Sequence, residues 1–108
     1  MAGEIPEGLA IERVWVVETT YGPDVEERRP PVRSEHLARI GQLRAAGTIL
    51  EAGAFADMSG SLILLRAASE EEAEAIIKAD VYVRSGVWNG YRIRPLGRVA
   101  RLDELTPG

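Results

Sequence analysis

The 108-residue chain contains a single histidine, His36, and no cysteine. Any imidazole chemistry must pass through that one side chain. Disulfides, thiolate nucleophiles and thiolate metal sites are excluded, as is a zinc site built on two or more imidazoles of one chain. On a helical wheel of about 100° per residue, Leu37, Ile40 and Leu43 mark an apolar arc. His36 falls between Ile40 and Leu43, and Arg33 between Ile40 and Leu37, so both point toward whatever the helix packs on. Two readings stand side by side. Either His36 is a hydrogen-bonded histidine at the core edge with Arg33 snorkelling to water, or it is a base beside a cleft. Arg39, off the arc, and Arg44, near its edge at the helix end, read as solvated.

A second stripe, Ala73, Ile76 and Ile77, leads on to Asp80. That aspartate either caps the turn Val81 to Ser85 or faces inward. If both helices cover the same sheet face, Asp80 and His36 can meet, and a carboxylate on an imidazole fixes its tautomer and raises its basicity. Tyr82, two residues further on, is placed to line the same cleft with its hydroxyl toward a ligand. Ser61 follows Gly60 without the strand-to-helix elbow a nucleophile needs, and is counted with Arg33 and Tyr82 as a substrate-binding residue. Glu70–Glu72 and Glu74 read as a solvated helix face, because hard-cation sites need ligands converging from several directions. Trp15, Trp88 and Tyr91 read as core or interface. No P-loop, phosphate-cradling glycine loop or dinucleotide fingerprint occurs, so neither a metal nor a cofactor is expected.

The elements that must position these groups follow from local patterning. Residues 1–8 form a loose leader. Ile11 to Thr19 is β-branched and reads as a strand, with Val14 and Val16 on one face and Trp15 and Val17 on the other. After the break at Tyr21-Gly22-Pro23-Asp24 comes a charged connector, Glu26 to Arg29. Pro30-Pro31 opens a helix running from Val32 to Ala46, and Gly47 stops it. Thr48 to Ala56 and Ser61 to Ala67 are strands joined by the turn Asp57-Met58-Ser59-Gly60. Ser69 and Glu72 form a capping box for a helix to Ala79. Asp80 to Gly86 is a connector, Val87 to Arg94 a strand ended by Pro95, and residues 98–108 a polar tail.

That order, strand-helix-strand-strand-helix-strand, is the ferredoxin-like α+β arrangement: a four-stranded antiparallel sheet with two helices on one face. One domain, residues 9–97, is expected between leader and tail. The helices cover only one sheet face, and strand one is apolar on both, so the second face requires cover. Pairing of two sheets into a homodimer is the expectation.

With 45% apolar and 28% charged residues the chain is expected to fold rather than stay disordered. Its net charge of −4 argues against a nucleic-acid partner. The longest apolar runs, Val14–Val17 and Leu62–Leu65, fall far short of the ~20 residues a spanning helix needs. Met1 to Ala10 lacks the basic and apolar regions of a secretory signal. A cytoplasmic protein with no membrane partner is expected.

Four segments carry a resemblance: Arg33-Ser34-Glu35-His36-Leu37; Ala46-Gly47-Thr48-Ile49-Leu50-Glu51-Ala52-Gly53; Gly60-Ser61-Leu62-Ile63; and Ala79-Asp80-Val81-Tyr82-Val83-Arg84-Ser85-Gly86-Val87-Trp88. In that order and spacing, from roughly Ile11 to Pro95, the chain resembles the YciI-like (YCII-related domain) family. The resemblance implies the dimeric α+β barrel shared with muconolactone-isomerase-like proteins. It also implies an active-site pair carried over to His36 and Asp80, with Arg33 as the arginine one turn before the histidine. The family usually has proline directly after the aspartate; here Val81 stands there. Some relatives are implicated in cofactor-free chemistry on hydroxylated aromatics, including loss of chloride. The expected function is thus cofactor-independent acid–base catalysis of lyase or isomerase type on a small aromatic or anionic molecule. His36 would be the base or acid, Asp80 its orienter, and Arg33 the holder of an anionic oxygen. The alternatives are a dimer that binds or senses a small ligand without transforming it, and a structural dimer in which His36 and Asp80 are only a buried pair.

Overall fold

The computed structural model describes residues 4–105; the first three residues of the leader and the last three of the tail lie outside them. The elements are β1 (Leu9–Tyr21), α1 (Val25–Ala45), β2 (Ile49–Ala54), β3 (Gly60–Leu65), α2 (Glu70–Lys78), α3 (Val81–Arg84) and β4 (Trp88–Arg101), followed by a 3₁₀ turn at Leu102–Glu104. The strands form one antiparallel sheet in the order β2-β3-β1-β4. This is the expected ferredoxin-like α+β topology.

Alternation along β1 decides which face meets the helices. Trp15 and Val17 belong to the buried core, opposite Leu65 and Ile63 of β3. Ile49 of β2, Ala73 and Ile77 of α2, and Val81, Tyr82, Val87 and Trp88 complete the same cluster. Ser69 caps α2 by accepting the Glu72 N–H, as read from the sequence, but the Glu72 carboxylate accepts the Ala68 N–H rather than that of Ser69, so the reciprocal half of the expected capping box is shifted by one residue. The β2–β3 turn closes as its chemistry requires: Asp57 accepts the Ser59 N–H, and Met58 takes a positive φ of 60°. Gly60 then begins β3 against β1, where an added Cβ would lie 1.8 Å from the Thr19 carbonyl oxygen. Only a residue without one fits that approach.

Three elements depart from the sequence reading. α1 starts at Val25, so the segment Glu26 to Arg29, expected as a connector, is helical, and Pro30 and Pro31 lie inside the helix rather than opening it. Each proline deletes one helical N–H bond. Offsetting this, Glu26 and Glu27 sit at the positive end of the dipole, Val25 packs on the core, and Arg28 donates to the Ser85 carbonyl at 3.1 Å. The expected connector after α2 contains the one-turn helix α3.

Finally, Pro95 does not end β4, which continues to Arg101 in register with Leu9–Val14 of β1. β4 is an edge strand, and one row of its N–H groups has no neighbour to serve, so proline is tolerated there. Glu12 fastens this extension, bonding Arg66 at 2.7 Å and Arg98 at 3.1 Å, while Arg66 also donates to the Glu104 carbonyl. Arg66 and then Arg98 hold the Glu12 carboxyl below its ordinary value, against the effect of burial.

Candidate functional site

His36 comes from the middle of α1, and Asp80 from the junction of α2 and α3. Their side chains meet: His36 Nδ1 lies 2.8 Å from Asp80 Oδ1, with Asp80 only 1% and His36 8% exposed. Asp80 is also the N-cap of α3, its Oδ1 accepting the Tyr82 N–H at 2.9 Å. Capping and inward pairing, alternatives in the sequence, are both performed by one carboxylate. Val81, in the place of a proline, occupies the first position of α3. A first-position N–H has no helical partner in any case, and the cap forms without the ring.

The second oxygen of Asp80 is taken by Arg39, which donates through Nη1 at 3.2 Å and through Nη2 to the Ile76 carbonyl at 2.8 Å. This corrects the expectation that Arg39 is solvated. Its Cα does lie off the apolar arc, but a guanidinium on three methylenes reaches well past the angle of its own Cα. Burial pushes the Asp80 carboxyl up; the bonds from His36 and the Tyr82 N–H and the charges of His36 and Arg39 outweigh it, leaving its pKa below the ordinary 3.8. Asp80 is therefore ionised at neutral pH and can only accept. It follows that His36 Nδ1 carries the proton, and in the neutral ring Nε2 holds the free lone pair.

The imidazole is fixed in orientation as well. It stacks on the Tyr82 ring with centroids 3.6 Å apart and planes 8° from parallel, and meets Trp88 edge-on at 5.3 Å. The ring can neither tilt nor turn without losing these contacts and the Asp80 bond. His36 and Tyr82 line a cavity of about 180 Å³ together with Arg33, Ser61 and Trp88. Burial raises the Tyr82 hydroxyl pKa against the hydrogen bond and charge of Arg29 and the charge of Arg33, so it stays neutral.

The residues expected from the sequence divide as follows. His36 and Asp80 are bonded, and Arg33, Tyr82 and Ser61 stand on the cavity wall. The Ser61 hydroxyl is shared with that of Thr19 at 2.6 Å, so it is committed to the strand pair. Leu37, assigned to the apolar arc, is half exposed at the cavity rim. Two participants were missed: Arg39, and Arg29, which lines the cavity from the part of α1 expected to be a connector. The spacing 29, 33, 36 places all three on one helix face, a signal visible only once the helix is extended to Val25. Among the described residues no three His, Cys, Asp or Glu side chains converge as metal ligands would.

The molecule is thus a ferredoxin-like domain with an Asp80-bonded histidine beside a cavity of about 180 Å³. The model of the YCII-related domain matches residues 14–97, and the chain belongs to that family. It is 31% identical over 96 residues to Protein YciI of Escherichia coli and of Shigella flexneri, a match covering 80% of this chain and 98% of each relative. A Haemophilus influenzae protein is 30% identical over 87 residues, covering 71% and 89%. Among solved structures it is similar to 5-chloro-2-hydroxyhydroquinone dehydrochlorinase (TftG) from Burkholderia phenoliruptrix in complex with 2,5-dihydroxybenzoquinone. That likeness has a TM-score of 0.65 at 20% identity, covering 75% of this chain and 90% of the other, and it shows the fold. No helix among the described residues is long and apolar enough to cross a membrane.

Proposed function

We propose that this protein is a cofactor-independent acid–base enzyme acting on a small single-ring substrate. The observation that carries the reading is the 2.8 Å bond from His36 Nδ1 to an ionised Asp80, which leaves Nε2 as the available nitrogen of a residue lining the cavity. In the proposed step Nε2 takes a proton from an oxygen or carbon of the substrate. The electron pair left behind moves into the ring, where it expels a leaving group as its anion or, in an isomerisation, forms a new bond at another atom to the proton that the imidazolium gives back. Asp80 stabilises the imidazolium formed, Arg39 keeps Asp80 in place, and Arg33 holds the substrate oxygen that gains charge. The activity in the name of the structurally similar dehydrochlorinase, loss of chloride from a hydroxylated ring, is one elimination of this class.

The test is incubation of the purified protein with a panel of hydroxylated and chlorinated single-ring compounds, with no metal or coenzyme added. Absorbance and released chloride are followed. Turnover of at least one compound above the uncatalysed rate is expected. A compound that raises the melting temperature but is recovered unchanged, with no panel member converted, would replace this reading by that of a ligand-binding module.

The working unit is proposed to be a cytoplasmic homodimer joined through the sheet face opposite the helices. That face carries Val16, Leu62 and Leu64, only half buried, and Leu96 beside Val14. The ribbon where β4 outruns the core exposes Ile11 and, at 66%, Val99. The radius of gyration, 15.5 Å, exceeds the roughly 13 Å of a compact domain of this length, as expected of a protomer with a projecting arm. Sedimentation equilibrium at micromolar concentration is expected to give twice the 11.8 kDa chain mass; a single-chain mass would refute the pairing.

A further inference from the structure

The contacts that fix His36 also limit it. With Nδ1 bonded to Asp80 and the ring held against Tyr82 and Trp88, Nε2 keeps one place and one direction. Such a base can return a proton only close to where it took one. An electron pair moving through a bound molecule ends on a different atom, and a proton donor at that end lowers the barrier. That donor must approach from another direction.

Tyr82 is placed for this. Its backbone N–H is bonded to Asp80 and its ring face is covered by His36, which leaves the hydroxyl as its reactive group. The hydroxyl stands among Arg29, Arg33 and Tyr21, and these three line the cavity, as Tyr82 does. Arg29 lies against the Tyr82 oxygen and, with Cζ 5.8 Å from the ring centroid, over Tyr21 as well. A guanidinium only donates, so the Tyr82 oxygen accepts from Arg29 and its own proton points elsewhere. No carboxylate stands on the cavity wall, and the Ser61 hydroxyl there is shared with Thr19. The phenolic proton is left for a guest. Among the described residues no carboxylate forms an ion pair with Arg29, so no counter-ion weakens its charge at Tyr82.

We infer that Tyr82 is the proton donor of this site, working opposite the base His36, and that Arg29 is a positioning residue that turns the hydroxyl toward the cavity and stabilises its anion. The inference rests on the proposed function and adds a second acid–base group to it. One substrate atom gives its proton to His36 Nε2, and the freed electron pair moves through the substrate. The atom on which that pair ends takes the Tyr82 proton as the O–H bond breaks, and the tyrosinate is held by the charge of Arg29. The imidazolium then loses a proton to water and Tyr82 regains one, which restores both groups.

Two measurements test this. The first is alkaline titration of the tyrosines by ultraviolet absorbance, with Tyr82→Phe subtracted to separate Tyr82 from Tyr21 and Tyr91. The charged and titratable groups around Tyr82 are Arg29, Arg33 and His36 of α1, Tyr21 of β1 and Asp80 at the start of its own helix. Removing the Arg29 charge in Arg29→Gln is expected to move the Tyr82 titration to higher pH, and Arg29→Lys to reverse part of that movement. The second is the pH profile of turnover for any compound of the hydroxylated and chlorinated panel that is converted. Tyr82→Phe keeps the ring on His36 and is expected to lower kcat by about 10²-fold or more, with little change in KM. The alkaline limb of the wild-type profile should disappear in Tyr82→Phe and move to higher pH in Arg29→Gln. Loss of packing alone does not move a limb upward, and unchanged circular dichroism will show that the variants fold. A Tyr82 titration unmoved in Arg29→Gln, or a folded Tyr82→Phe with undiminished kcat, would overturn the inference and leave the acid–base reading standing. Conversion of no panel compound by the wild type would overturn both.

Discussion

Replacing Asp80 by alanine is expected to cost about 3–5 kcal/mol of folding stability, the scale for removing one partner from a buried ion pair, and to lower the melting temperature by more than ten degrees. The carboxylate serves three donors at once: His36 Nδ1, the Tyr82 N–H and Arg39. Its loss uncaps α3, leaves an imidazole N–H buried without an acceptor, and strands a guanidinium against Ile76. Asp80→Asn should cost less, because an amide oxygen can still accept from His36 and from the cap, while its NH₂ group must face Arg39 and donors oppose donors there. The pH dependence separates charge from shape. The folded pKa of Asp80 lies below its ordinary 3.8, so its stabilisation is complete above that pH and is lost as pH falls through the folded value. Urea denaturation of wild type and Asp80→Asn should therefore show the widest gap near pH 6 and a narrower one below pH 3.8. A gap that widens on acidification would refute the ionised assignment.

His36→Ala is expected to lower kcat by about 10²–10⁴, the usual contribution of a positioned base, with a smaller penalty to the fold. The asymmetry with Asp80 comes from what each deletion leaves behind. Without His36, Asp80 keeps Arg39 and the Tyr82 N–H, so no buried charge is abandoned; what goes is one hydrogen bond and the stacking on Tyr82. A stability loss of about 1–3 kcal/mol covers these. The deletion also leaves a gap the shape of an imidazole beside the cavity. Added free imidazole should restore part of the turnover of the alanine variant and none to the wild type. A folded variant with full activity would remove His36 from the catalytic role and leave the pair as scaffold.

These two side chains illustrate how far local information reaches. The order of the elements, the helix cap at Ser69, the turn at Asp57–Gly60 and the ferredoxin-like topology follow from patterns spanning a few residues, because helical and strand periods and turn chemistry are local properties. The angle of His36 on one helical wheel and of Asp80 on a second turns both toward the sheet, and the family resemblance strengthens the expectation that they meet.

What folding alone decided is where reach and packing matter. Arg39 was read as solvated since its Cα points away from the arc, yet its long side chain closes on Asp80 forty-one positions on. The two prolines suggest a later helix start and leave Arg29 in a connector, whereas the packing of Val25 and the Arg28 bond to Ser85, with Glu26 and Glu27 in the first turn, carry the helix back across it. β4 continues past Pro95 because it lies at an edge, and Glu12 joins Arg98 from the far end of the chain. A sequence by itself determines which groups are available and the local geometry each is born with. Which of them meet is settled by the packing of elements distant in the chain, since an ion pair or a strand edge depends on neighbours that no local period encodes.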